Sequence, residues 1–564
     1  MTPVISIGAQ DFTYIRSHGY FYVDKTSFIK EWWESGDAVT LITRPRRFGK
    51  TLNLSMAEAF FSNQFAGRGD LFEGLSIWNE EAYRKLQGSS PVLFLSFAGI
   101  KGDTYETARE GIIQIIIDIY AKYRFLTKGD ALNEQEKEYY DFVKQDMSDA
   151  VVSMSLHRLA ICMSRYYGKK VLIFLDEYDT PLQEAYAYGY WEKMVSFIRS
   201  LFNCTFKTNP YMERGLMTGI TRISKESIFS DISNLEVVTT TSEKYETAFG
   251  FTEKEVAGAL GQFKMLGSLE KVRYWYDGFR FGNRRDIYNP WSITKYLDGK
   301  KFSTYWMNTS SNKLVGKLIR EGSADIKIAM EDLLEGKEIT VMLDEEVVFD
   351  QLEESNEAIW SLLLASGYLK VDKVFVSEDE GEVYQLSLTN FEVKREFRKM
   401  ILRWFKNASV RYNDFIKALL ADDVDYMNQY MNQIALQAFG SFDVGKKPSG
   451  KADPERFYHG FVLGLVVDLA DQYRITSNRE SGFGRYDVVM EPFDRQRKAV
   501  VMEFKVFNPA KEEDLNETVR NALQQIEDKK YDTELTARGF AKENIRHYGF
   551  AFEGKRVLIG QQAP

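Results

Sequence analysis

Two stretches of the chain hold residue types whose spacing suits phosphate chemistry. The first is "TLITRPRRFGKTLNL", residues 40 to 54, whose turn ends in Gly49, Lys50 and Thr51. In a phosphate-binding loop the glycine lets backbone amides approach the anion, the lysine reaches the terminal phosphates and the hydroxyl holds Mg²⁺. Arg44 stands where such a loop normally has its first glycine, so the triplet alone is equally compatible with a basic turn capped by Thr51. Downstream, "VLIFLDEYD" is an apolar run ending in Asp176 and Glu177. Asp176 there would hold the Mg²⁺ shell and Glu177 would polarise an attacking water; strand-end acid pairs also serve as helix caps. The loop and the acidic strand are expected to be neighbours in one sheet. Thr221 and Arg222, closing "GLMTGITR", are candidates for sensing the γ phosphate, or simply end a strand.

The second stretch is "GRYDVVMEPFDRQRKAVVMEFKV". Asp487 begins one apolar strand and Glu503-Phe504-Lys505 ends the next, which puts Glu503 and Lys505 on one face. Two acids sharing a divalent metal beside a lysine can orient water and stabilise the charge of a cleaved phosphodiester. A cross-strand salt bridge on a solvated face uses the same residues. Arg485, Arg495, Arg497 and Lys498 nearby suit phosphate contacts or a plain solvated charge run. No base-reading motif is visible.

The elements that must position these residues follow from hydrophobic patterning. Val39 to Ile42, Pro91 to Phe97, Lys169 to Asp179 and Arg214 to Ile223 read as buried strands, alternating with helical patterns such as "AREGIIQIIIDIYAKY" and "WEKMVSFIRSLF". Nearly continuous apolar strands alternating with helices predict a parallel sheet covered on both faces. Beyond residue 290 the texture becomes mostly helical, with a helix, strand pair, helix pattern over "EAIWSLLLASGYLKV" and "GEVYQLSLTNFEVKREFRKMILRWF" that suits a winged-helix-like or lid module. The polar stretch Gly440 to Glu455 is the best linker. With 564 residues, 44% hydrophobic and only 11 prolines, the chain should fold into about three domains. A net charge of −9 counts against wholesale nucleic-acid coating but not against a local basic groove. No stretch reaches the roughly 18 apolar residues of a membrane span, and Cys162 and Cys204 are too few for a zinc site. A cytoplasmic protein with reduced thiols is expected.

These residues also carry a resemblance. "YVDKT", "TRPRRFGKTL", "VLIFLDEYDTPL", "GITRIS", "WYDGFRFG" and "YNPWS" resemble the bacterial AAA-ATPase-like family across residues 1–290. In that family Arg-Pro-Arg-Arg-Phe-Gly-Lys-Thr is the usual loop, which implies that Arg44 is a family trait. Lys50 and Thr51 would then bind phosphate and Mg²⁺, with Asp176 and Glu177 in the second acidic motif. "ERFYHGFVLGL", "SNRESGFGRYDVV", "EFKV" and "ALQQIEDKKY" resemble the PD-(D/E)XK nuclease superfamily across residues 440–564. This implies Asp487 and Glu503 as metal ligands and Lys505 as the charge-stabilising residue; Glu455, on the preceding helix, is either an additional acid or a solvated helix charge, and either Gln524 or Gln525 matches the helix glutamine.

The expected architecture is α/β: a P-loop NTPase domain (1–290), a mostly helical, winged-helix-like middle (291–439) and a restriction-endonuclease-like domain (440–564). The expected site residues are Arg46, Arg47, Gly49, Lys50, Thr51, Asp176 and Arg222 for ATP, with Glu177, Asp487, Glu503 and Lys505 catalytic. Mg²⁺ falls to Thr51 and Asp176 in one site and to Asp487 and Glu503 in the other. The expected activity is ATP binding and hydrolysis joined to Mg²⁺-dependent cleavage of nucleic acid, DNA favoured, with no membrane and a homo-oligomer left open. The alternative is a nucleotide-dependent switch or scaffold whose nuclease fold binds without cutting.

Overall fold

In the computed structural model the described residues are 2–128, 130–221, 229, 232–306, 315, 318–319, 324–343, 356–377, 381–406, 412–438, 462, 465–466, 469, 472–481, 484–495, 497–554 and 556–562. The chain divides into two compact units, one of residues 1–318 with 338–394 and the other of 319–337 with 395–564. Residues 291–318 and 338–394 thus go with the first unit, whereas 319–337 and 395–439 go with the second. The linker expected at 440–455, Glu455 and Arg222 lie outside the described residues.

The first unit is built on five parallel strands: β1 (Val39–Thr43), β2 (Val92–Ser96), β3 (Val171–Asp176), β4 (Met212–Gly219) and β5 (Leu235–Val238), in the order β2-β3-β4-β1-β5. The loop strand β1 and the acidic strand β3 are therefore not neighbours, contrary to expectation; β4 lies between and pairs with both. Strand order is decided by long-range pairing that local patterning does not encode. Among its helices are α1 (Lys50–Phe61), α2 (Tyr105–Lys122), α3 (Asp149–Tyr167), α4 (Thr180–Tyr188) and α5 (Trp191–Phe206). Both sheet faces are covered: the Trp32 indole meets Thr40 and Phe174 on one, while Phe206 of α5 approaches Val39's partner Gly215 on the other. Trp32, Phe174 and Phe206 are fully buried, and each such side chain contributes roughly 1.5–3 kcal/mol by leaving water.

The same unit carries a small antiparallel sheet of β6 (Phe251–Thr252), β7 (Phe279–Phe281) and β8 (Arg284–Tyr288), then α6 (Pro290–Gly299). A three-stranded antiparallel sheet follows, of β9 (Ile339–Met342), β10 (Leu369–Ser377) and β11 (Gly381–Leu388). A helix at Asn356–Ala365 precedes β10, and α7 (Phe391–Lys406), of which only residues 391–394 belong to this unit, follows β11, which gives the helix, strand pair, helix order of the sequence pattern.

The second unit contains α8 (Tyr412–Leu420), α9 (Val424–Ala438), a mixed sheet of β12 (Tyr473–Ser481), β13 (Gly484–Pro492), β14 (Ala499–Val506), β15 (Ile545–Glu553) and β16 (Arg556–Gln562), and α10 (Leu515–Lys529). The strands pair in sequence order, with only β14 and β15 parallel. Alternation splits β14 cleanly. Val500, Met502 and Phe504 pack with Phe415, Met427 and Met431 of α8 and α9, whereas Ala499 and Val501 pack with Ile526 of α10. Among the described residues no helix is long and apolar enough to cross a membrane.

Candidate functional sites

The first site lies at the carboxyl ends of the parallel strands, where Thr43 pairs with Gly219 and Ser96 with Asp176. Gly49 takes φ 82°, a left-handed conformation natural to glycine, and is the residue that caps α1. Thr51 is thus not the cap that its position in the sequence suggests. It sits one residue inside the helix, and its hydroxyl donates to Asp176 Oδ2 at 2.8 Å. Asp176 is fully buried and its other oxygen accepts from Thr218 Oγ1 at 2.6 Å, so hydroxyl dipoles compensate the carboxylate.

Lys50 is buried and donates to the carbonyl oxygens of Arg44 and Pro45, both at 2.9 Å. An ammonium has three donors, so one remains for an anion. Burial pulls its pKa below the usual lysine value, against the opposing charges of Glu177, Asp179 and Asp176. Among the described residues, none accepts a hydrogen bond from the backbone N–H of Arg47, Phe48, Gly49, Lys50 or Thr51. Five unpartnered amides beside a lysine, at the positive end of a 12-residue helix, form an anion cradle.

Arg44 is not part of that cradle. Its side chain is fully buried and donates from Nη1 to the carbonyls of Thr43 (2.9 Å) and Thr239 (2.6 Å), and from Nη2 to that of Lys244 (3.3 Å). The guanidinium also lies 4.6 Å from the Phe281 ring centre, a cation–π contact. Burial pulls its pKa down to about 9, which leaves it charged at neutral pH. Arg44 thus ties the loop to the segment after β5, which explains why a glycine is not needed there.

Arg46 and Arg47 flank the cradle: Arg46 Nη2 donates to Gln183 at 3.2 Å and Arg47 lies over Trp291 at 4.6 Å. Glu177 has φ 51°, a left-handed conformation that costs a non-glycine residue roughly 1 kcal/mol or more and persists only where the surroundings enforce it. Burial raises its pKa above the ordinary carboxylate value; Lys50 opposes this while Asp176 and Asp179 add to it.

Sequence reasoning missed Asp179, although it is the third acid of the quoted "LDEYD" run. It is 1% exposed, and its Oδ2 accepts from the N–H of Ile220 (2.9 Å), the N–H and hydroxyl of Thr221 (both 3.0 Å) and Gln183 Nε2 (2.8 Å). The Thr221 hydroxyl is therefore engaged by Asp179. Through Gln183 the same carboxylate is linked to Arg46, so the exit of β4 and the phosphate loop share one hydrogen-bonded chain. Ser96 and Thr218, around Asp176, also escaped notice because isolated hydroxyl residues carry no spacing signal.

The second site lies on the α10 face of β13 and β14. The register Val488↔Met502, continued by one step, brings Asp487 opposite Glu503. Asp487 Oδ2 accepts from the Phe504 N–H at 2.8 Å. Glu503 is 2% exposed, accepts from Gln525 Nε2, and has Lys505 Nζ at 3.9 Å. Gln525, not Gln524, therefore faces the acids; Gln524 is exposed and donates to Asp528. Gln525 also donates to Tyr531 Oη at 3.1 Å, and burial, with Glu503 and Asp487 adding charge, pushes that phenol up to about 12. Of the nearby basic residues, Lys498 pairs with Asp422 and Arg497 donates to Gln472.

Both donor sets fit Mg²⁺, a hard cation that takes oxygen ligands. In the first site a hydroxyl and a carboxylate lie 2.8 Å apart at a helix N-terminus. In the second, two carboxylates share one sheet face, one of them buried. Among the described residues no group of three or more His, Cys, Asp or Glu side chains is arranged around a metal position.

Comparisons with known proteins bear on both sites. Residues 6–229 match the family model described as a predicted AAA-ATPase, and residues 453–562 match that of the PD-(D/E)XK nuclease superfamily. The chain is also 26% identical over 575 residues to a protein of Azotobacter chroococcum mcd 1, named only as an uncharacterized protein in the vnfD 5' region, with 99% of this chain and 98% of that one covered. One chain thus carries, in its N-terminal part, a match to the predicted AAA-ATPase model and, in its C-terminal part, a match to the PD-(D/E)XK nuclease superfamily model.

Proposed function

We propose that the protein binds and hydrolyses ATP with Mg²⁺ at the first site and cleaves nucleic acid, DNA favoured, with Mg²⁺ at the second. What supports the reading is that one chain sets five unpartnered loop amides beside Lys50 and, on a second sheet, brings Asp487, Glu503 and Lys505 to one face. At the first site the amides of residues 47–51 and Lys50 bind the β and γ phosphates, Thr51 and Asp176 hold the ion, and Glu177 accepts a proton from the attacking water. Its raised pKa brings Glu177 closer to the working range of a general base. A bound Mg²⁺ would neutralise charge developing on the transferred phosphoryl group. Arg46 and Arg47 add positive charge at the rim, and Arg222 remains the proposed γ-phosphate sensor.

At the second site Asp487 and Glu503 hold the ion, which would polarise the scissile phosphate. Gln525 fixes the Glu503 carboxylate, and Lys505 stabilises the developing negative charge. The test is a cleavage assay on circular, linear and branched DNA and on RNA, with and without ATP, comparing wild type, Lys50→Ala and Asp487→Ala. Cleavage lost in Asp487→Ala and ATP turnover lost in Lys50→Ala support the proposal. Wild-type protein that binds ATP and nucleic acid yet turns over neither, with Asp487→Ala unchanged, points instead to a switch or scaffold.

A further inference from the structure

The phosphate loop is gripped by residues far along the chain, all outside the 6–229 span that matches the ATPase family. The carbonyl oxygen of Arg46 accepts from the indole N–H of Trp306 at 2.9 Å and from the side-chain amide of Asn289 at 3.3 Å. Trp306 is 1% exposed, and its backbone N–H donates to Glu392 Oε1 at 2.6 Å. The other oxygen of Glu392 accepts from Ser292 Oγ at 2.7 Å, and Glu392 is itself 1% exposed. A buried carboxylate is costly unless its oxygens are used; here both are, one to seat Trp306 and one to hold the first turn of α6. The loop's Pro45 is packed as closely: a Cβ at Gly367, whose φ is 84°, would fall 2.9 Å from its ring.

The consequence lies in one peptide plane. A trans peptide is planar, with C=O and N–H on opposite sides, so holding the Arg46 carbonyl on Trp306 aims the Arg47 N–H away from the indole. The two preceding carbonyls, of Arg44 and Pro45, turn instead to Lys50. Carbonyls that face the lysine thus give way, at this one peptide, to amides free to face an anion. We infer that Trp306 is a positioning residue of the nucleotide site: by gripping Arg46 it turns the Arg47 amide into the phosphate cradle, and Glu392 holds Trp306 in place for this.

The inference rests on the first site's being a nucleotide site, and the experiment separates the two. ATP binding to the full chain is measured by calorimetric titration, with melting temperatures, for wild type, Lys50→Ala, Trp306→Phe, Glu392→Gln and Glu392→Ala. Trp306→Phe keeps a ring and loses the donor; it should weaken ATP about tenfold, the worth of one good hydrogen bond, with melting within a few degrees of wild type. Glu392→Gln still offers an acceptor to the Trp306 N–H and should stay within about threefold, whereas Glu392→Ala should match Trp306→Phe. Wild-type affinity in a folded Trp306→Phe, while Lys50→Ala no longer binds, overturns the inference and leaves the site standing. Absence of ATP binding in wild type overturns the underlying reading instead. Should Trp306→Phe not fold, the two Glu392 variants decide, and equal ATP affinity in both overturns the inference.

Discussion

The two sites solve the same problem, holding charge at a fixed place, with different parts. At the first site the buried Asp176 is surrounded by hydroxyls from Thr51 and Thr218, on α1 and β4, and the anion cradle is made of backbone amides. At the second, Asp487 and Glu503 come from neighbouring antiparallel strands, and the charge partners are side chains, Gln525 and Lys505. The backbone part of the first site tolerates changes of side chain as long as the loop keeps its course, although Lys50 and Glu177 beside it do not. The second site, assembled from side chains on two strands, depends on each of them, because nothing else can take their place.

That contrast predicts the largest effect at the second site. Glu503→Ala should lower cleavage about 10³-fold, since the metal and the charge balance are lost together, while ATP turnover stays within about twofold; a nuclease titration beside a phosphate-release assay reads both. The next effect is a pH profile at the first site. Because burial holds Glu177 above the ordinary 4.5, its carboxylate takes up a proton at higher pH than a free glutamate. ATP turnover should therefore fall on the acid side at a pH above that value, about tenfold per pH unit below the Glu177 pKa. Glu177→Gln should keep ATP binding and lose both turnover and this acid limb.

A stability change separates Arg44 from the cradle beside it. Arg44→Lys removes the fork that satisfies the carbonyls of Thr43, Thr239 and Lys244, and should cost about 3 kcal/mol of stability, seen as a lower denaturation midpoint. ATP affinity of the folded variant should change less than in Lys50→Ala. If affinity collapses while stability holds, Arg44 touches the nucleotide after all. The smallest effect is expected at Tyr531: Tyr531→Phe removes one acceptor of the Gln525 amide and should lower cleavage only about fivefold, measurable in single turnover.

The parts of both sites that were legible in the sequence are local ones. The loop from β1 into α1, the acids ending β3 and the Asp487 and Glu503-x-Lys505 strands each lie within one short window of alternating or apolar residues. The rest depends on contacts between distant residues. The insertion of β4 between β1 and β3 is a pairing choice that no local pattern encodes. The course of the Arg44 side chain depends on where Thr239 and Lys244 end up, some 195 to 200 residues later. Gln524 and Gln525 are indistinguishable until the phase of α10 against β14 is known. Trp306 and Glu392 carry no chemical motif; their part arises from one carbonyl that the loop presents to them.

The interleaving of the two units has a consequence for synthesis. The chain passes from one unit to the other after Leu318, after Lys337 and after Lys394, so no single cut separates them, and an N-terminal fragment ending at residue 290 would lack Trp306 and Glu392. On the ribosome, the helix Ala324–Glu335, with its buried Ile326, Met330 and Leu333, emerges before the rest of its own unit, which starts at Arg395. The second unit therefore cannot be completed until residues 338–394 of the first have been translated, which fixes the order in which the two units close during synthesis.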